Sequence, residues 1–210
     1  MNNNLIFDFD GVLVDSMDVW AGVYVKLLKE GTGVVPPDMV KEITPLGNVG
    51  SADYCITHGL NMSREQILEY SMNSFKHEYS LNVKAKEGVG DFLRRMKDSG
   101  KSLHVLTASS HSYVDICLKN NGIYDLFDNV WSVDDFGLTK AQPEIYVKVA
   151  ALIHSPVNEC TFFDDNYIAL STAKAAGMKT VGVYDRSSND FVANMKMLAD
   201  EYIYDFTKIY

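Results

Sequence analysis

Most of the chain alternates between short apolar runs and segments with helical periodicity. From residue 84 onward, runs rich in Val, Leu and Phe are separated by segments whose apolar residues recur every three or four positions. Strands that alternate with helices in this way predict a parallel sheet with helices on both faces. The apolar run at residues 5–7 reads as a further buried strand. We therefore predict an α/β fold.

A helical stretch separates this first strand from the others. One apolar stripe at helical spacing consists of Met17, Trp20, Tyr24, Leu27 and Leu28. Ser63 and Gln66 have the spacing of a capping box, which opens a longer helix. The stretch is far longer than an ordinary crossover. We predict a catalytic core formed by residues 1–15 and 84–210, and a helical cap formed by residues 16–83.

Two aspartates follow the first predicted strand. Asp8 and Asp10 lie two residues apart, so their side chains point to the same face of an extended chain. Gly11 permits a tight turn there because glycine adopts positive φ readily. Two close carboxylates repel each other, and a hard divalent cation with oxygen ligands would relieve that repulsion. A plain acidic turn is the alternative that these residues alone leave open.

Three other strand ends carry polar residues. The hydroxyl groups at and after Thr107 suit phosphate binding at a helix N-terminus, although such residues are also ordinary helix caps. Lys140 lies in a predicted loop, where a solvated charge is the alternative. Asp164 and Asp165 end another apolar run. They could complete an oxygen-ligand site for Mg²⁺, and a plain acidic turn is the alternative. Together with Asp8 as nucleophile, these junctions supply the residue types that phosphoryl transfer needs.

Four segments of the chain resemble the motifs of a known superfamily. In chain order they are Asp8-Phe-Asp10-Gly-Val-Leu-Val-Asp15-Ser16, Leu106-Thr107-Ala108-Ser109, Thr139-Lys140-Ala-Gln-Pro143-Glu144-Ile145-Tyr146 and Phe162-Phe-Asp164-Asp165-Asn166. They resemble motifs one to four of the haloacid dehalogenase superfamily, in its aspartate-phosphatase branch. The resemblance implies a Rossmann-like parallel sheet with helices on both faces and an inserted all-helical cap.

The resemblance also implies a role for each motif residue. Asp8 would attack phosphorus and become an aspartyl phosphate, while Asp10 would protonate the leaving oxygen and then activate water. The groups that would bind Mg²⁺ are Asp8, the backbone carbonyl of Asp10, Asp165 and, in a supporting role, Asp164. The residues that would bind the transferring phosphoryl group are Thr107, Ala108 and Lys140.

Two positions depart from the family pattern. Ala141 follows the motif-three lysine, where proline is common, and Ala169 stands four residues after the metal aspartate, where Asp, Asn or Gly is common. Neither departure removes a catalytic group, and the second bears on the outer coordination shell.

The candidates for substrate selection are Trp20, Tyr24, Asn48, Ser110 and His111, although the aromatic residues also suit the core of the cap.

The resemblance predicts Mg²⁺-dependent hydrolysis of a small phosphomonoester, and the alternative is a phosphosugar mutase of the β-phosphoglucomutase type. Those mutases hold a second phosphate with an arginine and a lysine near the cap loop. The loop predicted here over residues 44–50 contains neither, although Lys41 and Arg64 flank it. Dehalogenase chemistry is disfavoured because it does not need Asp10, and a binding module without catalysis is disfavoured because every motif residue is present.

Composition limits the partners of the chain. A formal net charge of −9 disfavours nucleic acid, whose phosphates require basic patches. No apolar run approaches the about 18 residues of a membrane span, and the N-terminus shows no signal-peptide pattern. The three widely spaced cysteines are typical of reduced thiols. We therefore predict a cytoplasmic enzyme that acts on a small phosphorylated metabolite, without a nucleic-acid or membrane partner.

Overall fold

The computed structural model describes residues 2–208 of the chain. These residues divide into two compact units. The first unit, called the core unit below, consists of residues 2–15 and 84–208. The second, called the helical unit, consists of Ser16–Val83.

The core unit is built on a six-stranded sheet in the order β3-β2-β1-β4-β5-β6, in which every pair of neighbouring strands is parallel. The strands are β1 Asn4–Phe7, β2 Ser102–Thr107, β3 Asn129–Ser132, β4 Cys160–Asp164, β5 Lys179–Val183 and β6 Glu201–Ile203. The prediction of an α/β fold with a parallel sheet is confirmed. The first strand of the chain lies at the centre of the sheet, which places its carboxyl end between those of β2 and β4.

Both units contain α-helices. Those of the helical unit are α1 Met17–Thr32, α2 Met39–Ile43, α3 Gly47–Thr57 and α4 Arg64–Leu81. Those of the core unit are α5 Val89–Asp98, α6 His111–Asn120, α7 Pro143–Leu152, α8 Tyr167–Ala175 and α9 Val192–Leu198. Within residues 2–208, none of these helices is long and apolar enough to cross a membrane.

The central strand β1 is buried on both faces of the sheet. Successive side chains of a strand point to opposite faces. On one face, Ile6 and Phe162 pack with residues of α7 and α8. On the other, the ring of Phe7 stacks on Phe163 with centroids 4.5 Å apart, and Phe92 of α5 meets both rings edge-on. A continuous apolar run is typical of such a central parallel strand.

The helical unit has an aromatic core between α1 and α4. Tyr24 packs edge-to-face against Phe75, with ring centroids 6.0 Å apart, and Phe75 packs in the same way against Tyr79 at 6.1 Å. The capping box that begins α4 is present as predicted. The Ser63 hydroxyl accepts from the Gln66 N–H at 3.3 Å, and the Ser63 N–H donates to Gln66 Oε1 at 2.8 Å.

The prediction of a loop over residues 44–50 is wrong. A 3₁₀ turn occupies Thr44–Leu46, and α3 begins directly at Gly47. Proline is acceptable in the first turn of a helix, because its missing N–H has no intrahelical partner there. Gly47 has φ 63°, which allows the chain to change direction between the two helical pieces. Proline and glycine therefore mark a junction between two helical pieces, where the sequence pattern predicted a break.

Candidate active site

The carboxyl ends of β1 and β4 bring three aspartates together. The two strands are neighbours, and the Asp8 N–H donates to the carbonyl oxygen of Phe163 at 2.8 Å, so that Asp8 lies beside Asp164. Asp8, Asp164 and Asp165 each offer a carboxylate oxygen, and these three atoms lie within 4.8 Å of one another. All three residues are buried. The structure thus unites three side chains from two motifs that are about 150 residues apart in the chain.

Lys140 lies against the same carboxylates. Its Nζ is 2.6 Å from Asp8 Oδ1 and 2.9 Å from Asp164 Oδ2, and only 12% of its side chain is exposed. The structure therefore does not place this lysine as a solvated loop charge. Burial opposes the charge of Lys140, but Asp164 and Asp8 raise its pKa above the ordinary value, so it stays an ammonium.

Local hydrogen bonds fix the loop that carries Lys140. The Tyr146 hydroxyl lies 2.9 Å from the backbone carbonyl oxygen of Lys140 and 3.0 Å from that of Ala169. The side-chain carbonyl of Gln142 accepts from the Thr139 N–H at 2.8 Å. These contacts shape the loop where the family often has proline. Ala169 itself lies in the buried core.

The electrostatics of the cluster favour a bound cation. Burial raises the pKa of Asp8 to about 7, a shift that Lys140 opposes and Asp164 and Asp10 increase. Burial, Asp164 and Asp8 likewise raise the pKa of Asp165 well above its ordinary value. Three buried carboxylates facing one ammonium leave surplus negative charge, which a divalent cation would balance. An all-oxygen donor set of this kind fits Mg²⁺.

The end of β2 connects to Asp10 through Ser109, a contact that the sequence did not predict. Thr107 is buried, and its hydroxyl accepts from the Ser109 N–H at 3.0 Å. The Ser109 hydroxyl in turn donates to Asp10 Oδ2 at 2.5 Å. Ala108 between them is exposed. Ser109 belongs to the second motif and lies two residues after Thr107, the predicted phosphate-binding residue. This position was the one sign in the sequence that Ser109 lies near the site.

Asp165 is enclosed by two further residues. Gly11 has φ 70°, and a Cβ at this position would lie 2.7 Å from Asp165 Oδ2. The Ser188 hydroxyl donates to the same oxygen at 3.0 Å. Ser188 belongs to the 3₁₀ turn Arg186–Phe191 that follows β5. No sequence pattern marks this serine, because it lies 23 residues beyond its partner in an otherwise ordinary polar turn.

Three of the candidates for substrate selection meet within the helical unit. The indole Nε1 of Trp20 donates to Asn48 Oδ1 at 3.0 Å, and the Tyr24 hydroxyl donates to the same oxygen at 3.1 Å. Because Trp20 can only donate, the contact fixes which end of the Asn48 amide faces the aromatic pair. The structure therefore brings these three predicted residues into one hydrogen-bonded cluster, and their role in selection stays a prediction.

The other two candidates lie at the start of α6 in the core unit. Ser110 caps the helix by accepting from the N–H of Ser112. His111 Nε2 is 2.9 Å from Asp135 Oδ2, and Nδ1 is 3.3 Å from Asp115 Oδ1. The hydrogen bond to Asp135, with the further one to Asp115, raises the pKa of His111 above its ordinary value. Both ring nitrogens are thus engaged by carboxylates.

Comparison with known proteins assigns the chain to a family. Residues 5–183 match the sequence model of haloacid dehalogenase-like hydrolases. The chain belongs to this family. The family membership predicted from the four motifs is therefore confirmed. The matched range begins in β1 and ends in β5. A curated relative, the pyrophosphatase PpaX of Bacillus velezensis, is 28% identical over 180 residues, which are 85% of this chain and 82% of PpaX.

Solved structures of the family share the fold. The β-phosphoglucomutase from Clostridium difficile has a TM-score of 0.78 at 19% identity, covering 100% of this chain and 94% of that protein. CbbY from Rhodobacter sphaeroides in complex with phosphate has a TM-score of 0.83 at 18% identity, covering 99% and 96%. At these identities the likeness shows the fold alone, so the reaction must be argued from the site.

Proposed function

We propose that this chain is a Mg²⁺-dependent phosphatase that hydrolyses a small phosphomonoester through an aspartyl phosphate on Asp8. One observation supports the proposal above all. The carboxylate oxygens of Asp8, Asp164 and Asp165 lie within 4.8 Å of one another, and Lys140 Nζ contacts two of these residues. A nucleophile beside a cation site and a buried ammonium is the arrangement that phosphoryl transfer requires. The pyrophosphatase activity named for PpaX agrees with phosphate chemistry.

The metal and the phosphate would share the carboxylate cluster. The residues that would hold Mg²⁺ are Asp8, Asp164, Asp165 and, through its backbone carbonyl, Asp10. When bound, Mg²⁺ would supply positive charge that orients the phosphoryl group and stabilises charge in the transition state. The Lys140 ammonium would bind a phosphoryl oxygen by charge-assisted hydrogen bonding, and the Thr107 hydroxyl would donate to another.

The proposed reaction has two steps. In the first, a carboxylate oxygen of Asp8 attacks phosphorus while the bond from phosphorus to the leaving oxygen breaks, and Asp10 gives that oxygen its proton. In the second, Asp10 takes a proton from water, the water oxygen attacks phosphorus, and the bond to Asp8 breaks to release inorganic phosphate. Ser109, which donates to Asp10 Oδ2, orients the carboxyl group that makes both transfers.

The helical unit supports hydrolysis over the mutase alternative. A bisphosphate intermediate needs a cation for its second phosphate, because a nearly dianionic group is costly to bury alone. Residues 44–50 contain neither Lys nor Arg. Arg64 binds Asp53 through two hydrogen bonds of 2.6 and 3.0 Å, so its guanidinium already has an anionic partner. By family resemblance we also propose that the helical unit acts as the cap and that Trp20, Tyr24 and Asn48 take part in substrate selection.

The decisive assay measures inorganic phosphate released from p-nitrophenyl phosphate and a panel of small phosphomonoesters. We expect turnover with Mg²⁺, loss of turnover in EDTA and recovery when Mg²⁺ is added back. Asp8→Asn keeps the size of the side chain but removes its charge and nucleophilicity, so turnover should vanish while circular dichroism stays unchanged. Asp98→Asn, at an exposed residue at the end of α5, is the matched control. Turnover by a folded Asp8→Asn protein would refute the covalent mechanism.

The same preparation distinguishes the two reactions. We expect no conversion of β-glucose 1-phosphate to glucose 6-phosphate when a catalytic amount of the 1,6-bisphosphate is present. Conversion that outpaces phosphate release would contradict the phosphatase proposal and favour the mutase.

A further inference from the structure

Lys86 makes three hydrogen bonds beside the candidate metal site, although no motif includes it. Its Nζ donates to the carbonyl oxygens of Gly11 at 2.5 Å and Tyr184 at 3.0 Å, and to Asp185 Oδ2 at 2.7 Å. Only 18% of the side chain is exposed. Its backbone N–H also donates to the carbonyl oxygen of Leu13 at 2.9 Å. An ammonium has three protons, so all of them are used and the side chain is held in one place.

Asp185 connects Lys86 to the turn that carries Ser188. Asp185 is buried, and its Oδ2 accepts from Lys86. Its Oδ1 accepts from both the N–H and the hydroxyl of Ser187, at 2.9 and 2.6 Å, which caps the 3₁₀ turn Arg186–Phe191. The next residue, Ser188, donates to Asp165 Oδ2 at 3.0 Å. Lys86 is therefore linked to the metal carboxylate through Asp185 and one turn of backbone.

The second link runs through Gly11. The backbone of Gly11 packs so closely on Asp165 that a Cβ would lie 2.7 Å from Oδ2 and 2.9 Å from Cγ. Asp165 Oδ2 thus contacts two different segments, the turn after Asp10 and the turn with Ser188. Lys86 hydrogen-bonds to both segments, and each contact lies within the core unit.

We propose that Lys86, together with Asp185 and Ser188, is a positioning group for Asp165 and so sets the affinity of the site for Mg²⁺. This inference rests on the proposed function. By joining the two segments, Lys86 limits the orientations of the Asp165 carboxylate. A carboxylate fixed before the cation arrives loses less conformational entropy on binding.

Positioning and simple charge predict opposite effects, which makes the inference testable. Lys86→Met removes a positive charge close to a cation site, so Coulomb repulsion alone predicts tighter Mg²⁺ binding. Loss of positioning predicts weaker binding, by about 10-fold or more, the usual effect of removing a group that orients a metal ligand. The direction of the change therefore decides between the two explanations.

The experiment is calorimetric titration of Mg²⁺ into the metal-free protein, with the melting temperature and circular dichroism recorded on the same samples. Three variants remove different parts of the link: Lys86→Met, the double variant Lys86→Met with Asp185→Asn, and Ser188→Ala. The double variant removes the Asp185 carboxylate charge that Lys86→Met alone would leave buried without its partner, at a cost in stability. Lys84→Met removes the same charge from an exposed lysine two residues away and is the matched control.

We expect the dissociation constant for Mg²⁺ to rise about 10-fold in each of the three variants and to stay at the wild-type value in Lys84→Met. An unchanged or lower dissociation constant in folded Lys86→Met would overturn the positioning role. If that variant does not fold, the double variant and Ser188→Ala decide in the same way. A wild-type protein that binds no Mg²⁺ would overturn the proposed function as well, whereas equal binding by wild type and variants would overturn only this inference.

Discussion

Replacing Gly11 by alanine adds one methyl group at the point where the first motif touches Asp165, a proposed metal ligand. The substitution has two costs that the structure separates. Gly11 has φ 70°, a left-handed conformation that costs an alanine about 1–2 kcal/mol. In addition, its Cβ would lie 2.7 Å from Asp165 Oδ2, whereas ordinary contact begins near 3.4 Å. The carboxylate must therefore shift by about 0.7 Å, and metal–ligand distances tolerate only about 0.2 Å.

We expect Gly11→Ala to weaken Mg²⁺ binding by about 10- to 100-fold and to lose about 1–2 kcal/mol of unfolding free energy. The assays are calorimetric Mg²⁺ titration and urea unfolding of the metal-free protein. Gly122→Ala is the matched control, because Gly122 has φ 66° but nothing lies within 4 Å of the position that an added Cβ would take. The control should lose the same stability and keep its Mg²⁺ affinity.

Two results would refute this reasoning. If Gly11→Ala binds Mg²⁺ as tightly as the wild type, the contact with Asp165 does not control the site. If Gly122→Ala loses as much Mg²⁺ affinity as Gly11→Ala, the cause is a general loss of stability. The comparison thus separates backbone strain from displacement of the carboxylate.

Two further predictions concern Asp10 and His104. Asp10→Asn should slow turnover by about 10²–10⁴ on an alkyl phosphate and by less on p-nitrophenyl phosphate, whose leaving group needs little protonation. An equal loss on both substrates would contradict the acid role. Burial lowers the pKa of His104 from 6.5 to about 4. Between these two pH values, His104 is therefore protonated in the unfolded chain and neutral in the folded protein. The part of the stability that depends on neutral His104 should therefore be complete above pH 6.5 and should fall by about 3 kcal/mol as the pH falls to 4. Urea unfolding at several pH values should show that His104→Leu lacks this loss, and a wild-type pH dependence in the variant would contradict the assignment.

The elements and the principal acidic residues could be predicted from the sequence because both depend on local patterns. Apolar runs followed by Asp8 and by Asp164 mark two strand ends, and parallel strands present their carboxyl ends at one edge of the sheet. The same local logic failed at residues 44–50, where proline and glycine were read as breaking a helix. There the 3₁₀ turn Thr44–Leu46 leads directly into α3, because both residues fit a helical junction.

The residues that support the site could not be predicted in this way because their contacts are not local. Lys86 is separated from Gly11 by 75 residues and from Asp185 by 99. A single lysine or serine in a polar segment produces no periodicity and no characteristic spacing. The pairing of β4 with β5 brings Ser188, in the turn after β5, to Asp165 at the end of β4. The order of strands in the sheet therefore decides which serine or lysine comes to lie beside the candidate site.

Each of the strands β1 and β4 carries an apolar run that leads to an acidic carboxyl end. This arrangement explains how the fold accommodates a cluster of buried carboxylates. Phe7 and Phe163 are buried directly before Asp8 and Asp164, so the strands are anchored by apolar contacts while their ends hold repelling carboxylates. Burial is unfavourable for those charges, and Lys140 offsets part of the cost by pairing with two of them. The same low-dielectric surroundings would strengthen every interaction that Lys140 or a bound cation makes with a phosphoryl group in the proposed reaction. The burial that makes this edge of the sheet costly to fold is thus also what would suit it to the proposed phosphoryl transfer.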